Sequence, residues 1–160
     1  MSEEVLGSMA VNEFHRFKRN IAYSLIFTSD RIIAARCGSP KDALRMTVGI
    51  KAGRIPGAAA SDEAEKDKAE KEAGDDNKEA KPQINPEILL SADSSNFDIP
   101  YDEIFQIEMK KSSIGAAGRR AGKMTILTYI RKQQFDILSD QMYEDCVSLV
   151  RTVLPDKLLE

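Results

Sequence analysis

The sequence predicts a mainly β fold of antiparallel strands, finished by one C-terminal α-helix. Three observations carry this. Residues 96–138 break into short β-rich runs separated by polar turns. Residues 22–37 read as a hairpin, two β-branched runs joined at Ser29-Asp30. After Ser139 the apolar period changes. Met142, Cys146, Leu149, Val150 and Val153 form one helical stripe, which must be buried against the preceding strands.

The elements follow in order. Glu4 to Phe17 is expected as a first strand, with a bulge or bend near Gly7 because its apolar residues keep no single period. Lys18-Arg19-Asn20 is a turn. Tyr23, Leu25 and Phe27 alternate with Ser24, Ile26 and Thr28, the period of a strand. Ser29 and Asp30 suit the turn, since both side chains hydrogen-bond nearby backbone. Arg31 to Cys37 returns as the second strand. Gly38 to Asn96 interrupts the pattern as an insertion. Ser39-Pro40-Lys41-Asp42 supplies a helix cap, a first-turn proline and an acid, so a short helix is expected over 40–51, packed on the domain edge. Residues 57–86 collapse into Ala, Glu, Lys, Asp and Gly and are expected to lack structure, having too little apolar area to offset ordering entropy. Glu87 to Ala92 is expected as a short strand and Phe97 to Pro100 as another. In Ile104–Lys111, Phe105, Ile107 and Met109 are expected on one face. Met124 to Arg131 and Gln134 to Leu138 form the last hairpin, turning at Arg131–Gln133. Ser139 caps the helix and Pro155 ends it. No internal repeat is evident.

At 160 residues one domain spanning 1–160 is the default, and 42% hydrophobic residues suffice for a core. No run approaches the roughly 18 to 20 apolar residues that cross a bilayer. The acidic start MSEEVLG has no signal-like apolar stretch, so a cytoplasmic chain is expected. Net charge is −3, which argues against general nucleic-acid binding. Residues 61–81 hold nine acids and five lysines, net −4, which subtracted from −3 leaves +1 for the rest. Cys37 and Cys146 are expected as reduced, buried small hydrophobes. His15 is the single histidine and is expected to be exposed. Without a CxxC motif, no metal or cofactor is implied. No isolated carboxylate pair and no serine beside a histidine suggests catalysis.

The Leu25-Ile26-Phe27-Thr28-Ser29-Asp30-Arg31-Ile32-Ile33 run resembles a hairpin of GRAM-like and prokaryotic pleckstrin-homology-like domains. Ile99-Pro100-Tyr101-Asp102-Glu103-Ile104 resembles the lead into their next strand, and the final helix fits as well. The likeness covers residues 22–37 and 97–155; the insertion at 38–96 departs from it. It implies a bent, seven-stranded antiparallel sheet, a partial barrel capped by one helix. It also implies a binding or scaffold module without catalysis, acting at membranes or in protein assemblies. Arg31 would then fix local structure through carbonyl or carboxylate contacts.

The candidate binding surface is the connection Lys110–Lys123. It holds five cations, two serines and three glycines in 14 residues, and no acid. Glycines let backbone N–H groups turn inward as an anion nest, and Lys and Arg add charge. Lys110, Lys111, Ser112, Arg119, Arg120 and Lys123 are the residues that would hold a phosphoinositide or other anionic lipid, placing the chain at the membrane periphery. Ile114 would insert at the tip. It is not a P-loop, since GK[ST] is missing. The competing reading is a protein-interaction adaptor, with solvated cations in this loop. A sheet edge would take a partner strand or a second copy as a homo-oligomer.

Overall fold

The computed structural model describes residues 2–13, 17, 19–51, 53, 83–112 and 121–160. Expectations for His15, Lys18, Arg54 to Pro82, and Ser113 to Arg120 lie outside the described residues. The chain is mainly β with a C-terminal helix. Among the described residues, nine strands share one sheet in the order β5-β3-β2-β1-β8-β7-β6-β9, with β4 paired to β1 off that path. In chain order these are β1 (Glu3–Glu13), β2 (Ile21–Thr28), β3 (Arg31–Cys37), α1 (Pro40–Lys51), β4 (Gln83–Ile84), α2 (Pro86–Ala92), β5 (Phe97–Pro100), β6 (Ile104–Lys111), β7 (Gly122–Thr128), β8 (Lys132–Ile137), α3 (Asp140–Val153) and β9 (Leu158–Leu159). The sheet is open, because β5 and β9 end the path without pairing to each other.

The inner face carries the main core. Tyr23, Leu25, Phe27, Ile32, Ile99, Ile107, Met124, Ile126 and Phe135 gather there under Cys146, Val147 and Val150 of α3. Tyr23 sits edge-on to Phe97 at 5.5 Å and to Phe135 at 6.2 Å, so rings from β2, β5 and β8 meet inside. Ser139 caps α3 as expected, accepting from the Met142 amide at 3.1 Å. The stripe is wider than expected, because Tyr143 and Val147 are buried too.

The insertion covers the outer face of the first half of the sheet. Ile26, Ile33 and Ala35 point outward and pack with Val5, Ile50 of α1, Ile84 of β4 and Leu89 of α2. α1 thus lies across β1, β2 and β3 rather than at the domain edge. The Ser24 and Thr47 hydroxyls meet at 3.0 Å beneath it, pairing two buried polar groups. Residues 83–86 were expected to lack structure, yet Gln83 and Ile84 pair with Glu4 and Glu3. Residues 86–92 are a helix, not a strand. Asn85 accepts from the Glu87 amide at 3.1 Å and Pro86 opens the first turn, a start signal that outweighs the β-branched Ile88.

Boundaries shift elsewhere. β1 ends at Glu13, and its register slips between Val5 and Gly7, where a bend was expected. β7 occupies Gly122–Thr128 instead of 124–131, so the last turn sits at Tyr129–Arg131 and β8 begins at Lys132. Two elements have no counterpart in the expected seven strands: β4, and β9, which pairs in parallel with β6 at Ile107 and Glu108. Cys146 is buried against the Met124 sulfur at 3.7 Å, and burial pushes its thiol up. Cys37 is only half-buried, less than expected, and its thiol is also raised by burial.

Candidate functional site

Two ends of the sheet carry candidate surfaces. At the first, the β6–β7 hairpin brings Lys110, Lys111, Ser112 and Lys123 together. Lys110 faces Lys123 across the strands and Lys111 faces Gly122. The Ser112 amide donates to the Ala121 carbonyl at 2.8 Å. Two of these cations already have carboxylate partners. Lys110 Nζ lies 2.9 Å from Glu108, and Lys111 Nζ lies 3.2 Å from Glu144. Lys111 also lies 5.9 Å above the Tyr143 ring, and its bond to Glu144 holds its pKa above the ordinary lysine value. The first turn of α3 presses close here. A Cβ at Gly122 would fall 2.4 Å from the Tyr143 ring and 2.9 Å from the Lys110 carbonyl oxygen. That glycine is required for packing, apart from any anion nest. Arg119 and Arg120 lie outside the described residues.

The second end was not anticipated from the sequence. Two hairpins there turn on the same four-residue scaffold, Thr-x-x-Arg. In the β2–β3 turn, Thr28 Oγ1 accepts from the amides of Asp30 (3.3 Å) and Arg31 (3.1 Å) and lies 3.0 Å from the Arg31 carbonyl oxygen. In the β7–β8 turn, Thr128 Oγ1 accepts from Ile130 (3.3 Å) and Arg131 (3.0 Å) and donates to the Arg131 carbonyl at 2.9 Å. A threonine hydroxyl that satisfies two turn amides closes a tight loop without help from the residues between.

The surroundings of the two turns differ. Thr28 is fully buried and donates to Glu3 Oε2 at 2.6 Å. Arg31 bridges Glu3 and Asp98, both at 2.8 Å, so the structural role expected for it is met by two carboxylates. The Tyr101 hydroxyl donates to the Thr28 carbonyl at 2.6 Å, and burial raises its pKa. Arg131 instead donates to the Asp98 carbonyl at 3.4 Å and lies 5.1 Å over the Phe97 ring. Both arginines thus converge on β5.

Between Thr128 and Arg131 sit Tyr129 and Ile130, 74% and 85% exposed. Phe105, expected on the inner face, joins them. A register shift between Ile104 and Gln106 turns it outward, leaving it 61% exposed with its ring 6.1 Å from Tyr129. Bulges of this kind re-aim a side chain. Asp102, Glu103, Arg131 and Lys132 are the exposed charged residues nearest in the chain.

Among the described residues, no group of three His, Cys, Asp or Glu side chains is placed to hold a metal ion. No described helix is long and apolar enough to cross a membrane. Comparison with protein-family models, curated proteins and solved structures finds no match for this chain.

Proposed function

We propose that this chain is a non-catalytic binding module of the pleckstrin-homology-like type, a cytoplasmic adaptor that engages a protein partner. The strand order supports the fold type. Seven strands, β1 to β3 and β5 to β8, pair antiparallel in one open sheet with the C-terminal α3 on its inner face, which supports the reading. β4 and β9 are additions to it.

One observation carries the functional reading. At equivalent positions of two equivalent turns, one hairpin holds Ser29-Asp30 and the other Tyr129-Ile130. The turn needs its threonine and its loop amides; it does not need apolar residues between. Two large apolar side chains held in solvent beside a bulged-out phenylalanine are therefore surplus to folding. An aromatic centre with charges of both signs around it is the composition of a protein interface. The test is capture of proteins from native cell extract by the immobilised chain and by its Tyr129→Ser/Ile130→Asp variant. The reading expects a protein bound by the parent and lost by the variant. Equal capture by both would sink it.

A second reading rests on the Lys110–Lys123 pair. The two cations lie directly opposite each other across β6 and β7. With Arg119 and Arg120 they would bind an anionic lipid headgroup. Vesicles of graded anionic content test this with the Arg119→Glu/Arg120→Glu/Lys123→Glu variant. Salt-sensitive sedimentation of the parent alone would support it, and no sedimentation at any lipid charge would exclude it.

A further inference from the structure

β9 is joined to the sheet differently from the other strands. α3 stops at Val153, one 3-10 turn over Pro155–Lys157 follows, and β9 then lays Leu158 and Leu159 in parallel beside Ile107 and Glu108 of β6. The chain before β9 is firmly anchored. Leu154 is buried, and the Lys157 ammonium donates to the Ile104 carbonyl. After Lys157 the hold is light. Leu158 rests half-buried against the inner core, Leu159 is 49% exposed, and Arg151 Nη2 lies 2.5 Å from Glu160 Oε1 at the surface. A two-residue parallel pairing and one exposed ion pair are weak constraints.

β6 is eight residues long, and β9 covers two of them. Along the same edge Met109, Lys110 and Lys111 have no strand partner among the described residues. An open strand edge is a template for a further strand. A strand in the β9 register that ran on would pass Met109 and then Lys110 and Lys111. Both lysines are exposed, and their pairs with Glu108 and Glu144 are of the kind that exchange at a surface.

We propose that the β6 edge binds an extended, acidic segment of a partner protein laid parallel to β6, and that β9 is a stand-in which this segment displaces. The chain itself displays the chemistry of the occupant. It has an apolar residue at the Leu158 position, against the inner core, and a carboxylate two residues on, against Arg151. Further carboxylates would meet Lys110 and Lys111. In strand addition, main-chain hydrogen bonds give affinity and alternate side chains give specificity. A partner strand longer than β9 makes more ladder bonds along β6, which lets it compete with a segment tethered in place. The site does not use Tyr129 or Ile130.

The probe is a displayed library of eight-residue peptides, the length of β6, selected on the full chain carrying Leu158→Asp, which loosens β9. Enriched peptides should carry an apolar residue followed two positions later by Asp or Glu. Fluorescence anisotropy should show them bound about tenfold or more tightly by Leu158→Asp than by the parent, where β9 competes. Glu160→Lys, at an exposed position, breaks only the ion pair and should tighten binding about threefold. Selection on that variant keeps the test open if Leu158→Asp does not fold. Adding Arg151→Glu should weaken binding, and a peptide with lysine in place of its acid should restore it. Tyr129→Ser/Ile130→Asp should leave peptide binding unchanged, so this site and that surface fail separately; a loss there would place the peptide on that surface and overturn the proposal. It is equally overturned if no peptide is enriched over a scrambled library, or if the parent and the loosened variants bind alike. A loosened chain that pairs with a second copy, seen as a dimer in sedimentation, and takes no peptide would also overturn it.

Discussion

The β2–β3 and β7–β8 hairpins solve one local problem in the same way and then diverge. Each uses a threonine hydroxyl to satisfy two turn amides before an arginine. In the first, every partner is structural: Glu3, Asp98 and Tyr101 close around Thr28 and Arg31. In the second, the turn carries exposed apolar residues that its geometry does not require. The same contrast runs through the sheet. β2 is buried almost without interruption, because the core lies on one face and α1 and α2 lie on the other. β6 alternates, with one face buried and one open. The half that the insertion covers is buried on both faces, and the other half leaves one face open.

The largest test of this contrast is Ile33→Ala. It empties the outer core beneath α1 and should cost about 2–5 kcal/mol in urea unfolding, whereas Phe105→Ser on the open half should stay within about 0.5 kcal/mol. A similar cost at both positions would erase the distinction between the halves. Next comes the pair Thr28→Val and Thr128→Val. Losing the buried hydroxyl takes one hydrogen bond from Glu3 and strands two turn amides, for about 2–3 kcal/mol; the half-buried equivalent should cost about 0.5–1 kcal/mol, since water replaces it. Equal losses would mean that the Glu3 and Arg31 contacts add nothing to the turn.

A smaller effect appears at alkaline pH. Burial, then the Glu13 carboxylate beside it, pushes the Tyr23 phenol up from 10.0 to about 12. The neutral form is the one the fold favours. Tyr23 therefore contributes stability fully present below pH 10 and lost as pH rises through about 12. Tyr23→Phe should make the fall of stability across that window shallower. An unchanged slope would show that the ring's burial is not coupled to its ionisation.

Much of the architecture was legible in the sequence, because periodicity reports burial directly. The 22–37 hairpin, the helix at 40–51, and the Ser139-capped helix all follow from local pattern and capping chemistry. Signals that were present but outweighed explain other misses. Asn85-Pro86-Glu87 is a helix start, yet Ile88, Leu89 and Leu90 read as strand. The continuous apolar run Leu25-Ile26-Phe27, followed by Ile32-Ile33, marks a hairpin buried on both faces, which implies a cover that only the insertion could supply. The candidate site was less legible. Lys111 is answered by Glu144, far along the chain, so its charge reads as free until the fold pairs them. Phe105 alternates with Ile107 and Met109 in sequence, and only the bulge turns it outward. The shared Thr-x-x-Arg turn could have been found by setting Thr28–Arg31 beside Thr128–Arg131. The residues between differ so completely that no repeat stands out.

The most direct measurement is the capture experiment on the Tyr129→Ser/Ile130→Asp chain, which gives the second turn the residues of the first, read by mass spectrometry alongside a urea midpoint. The midpoint should hold within about 0.5 kcal/mol while a protein bound by the parent disappears. A variant that unfolds markedly earlier would show that Tyr129 and Ile130 serve the fold, and one that retains every partner would show that they do not serve binding; either result contradicts the assignment of this surface.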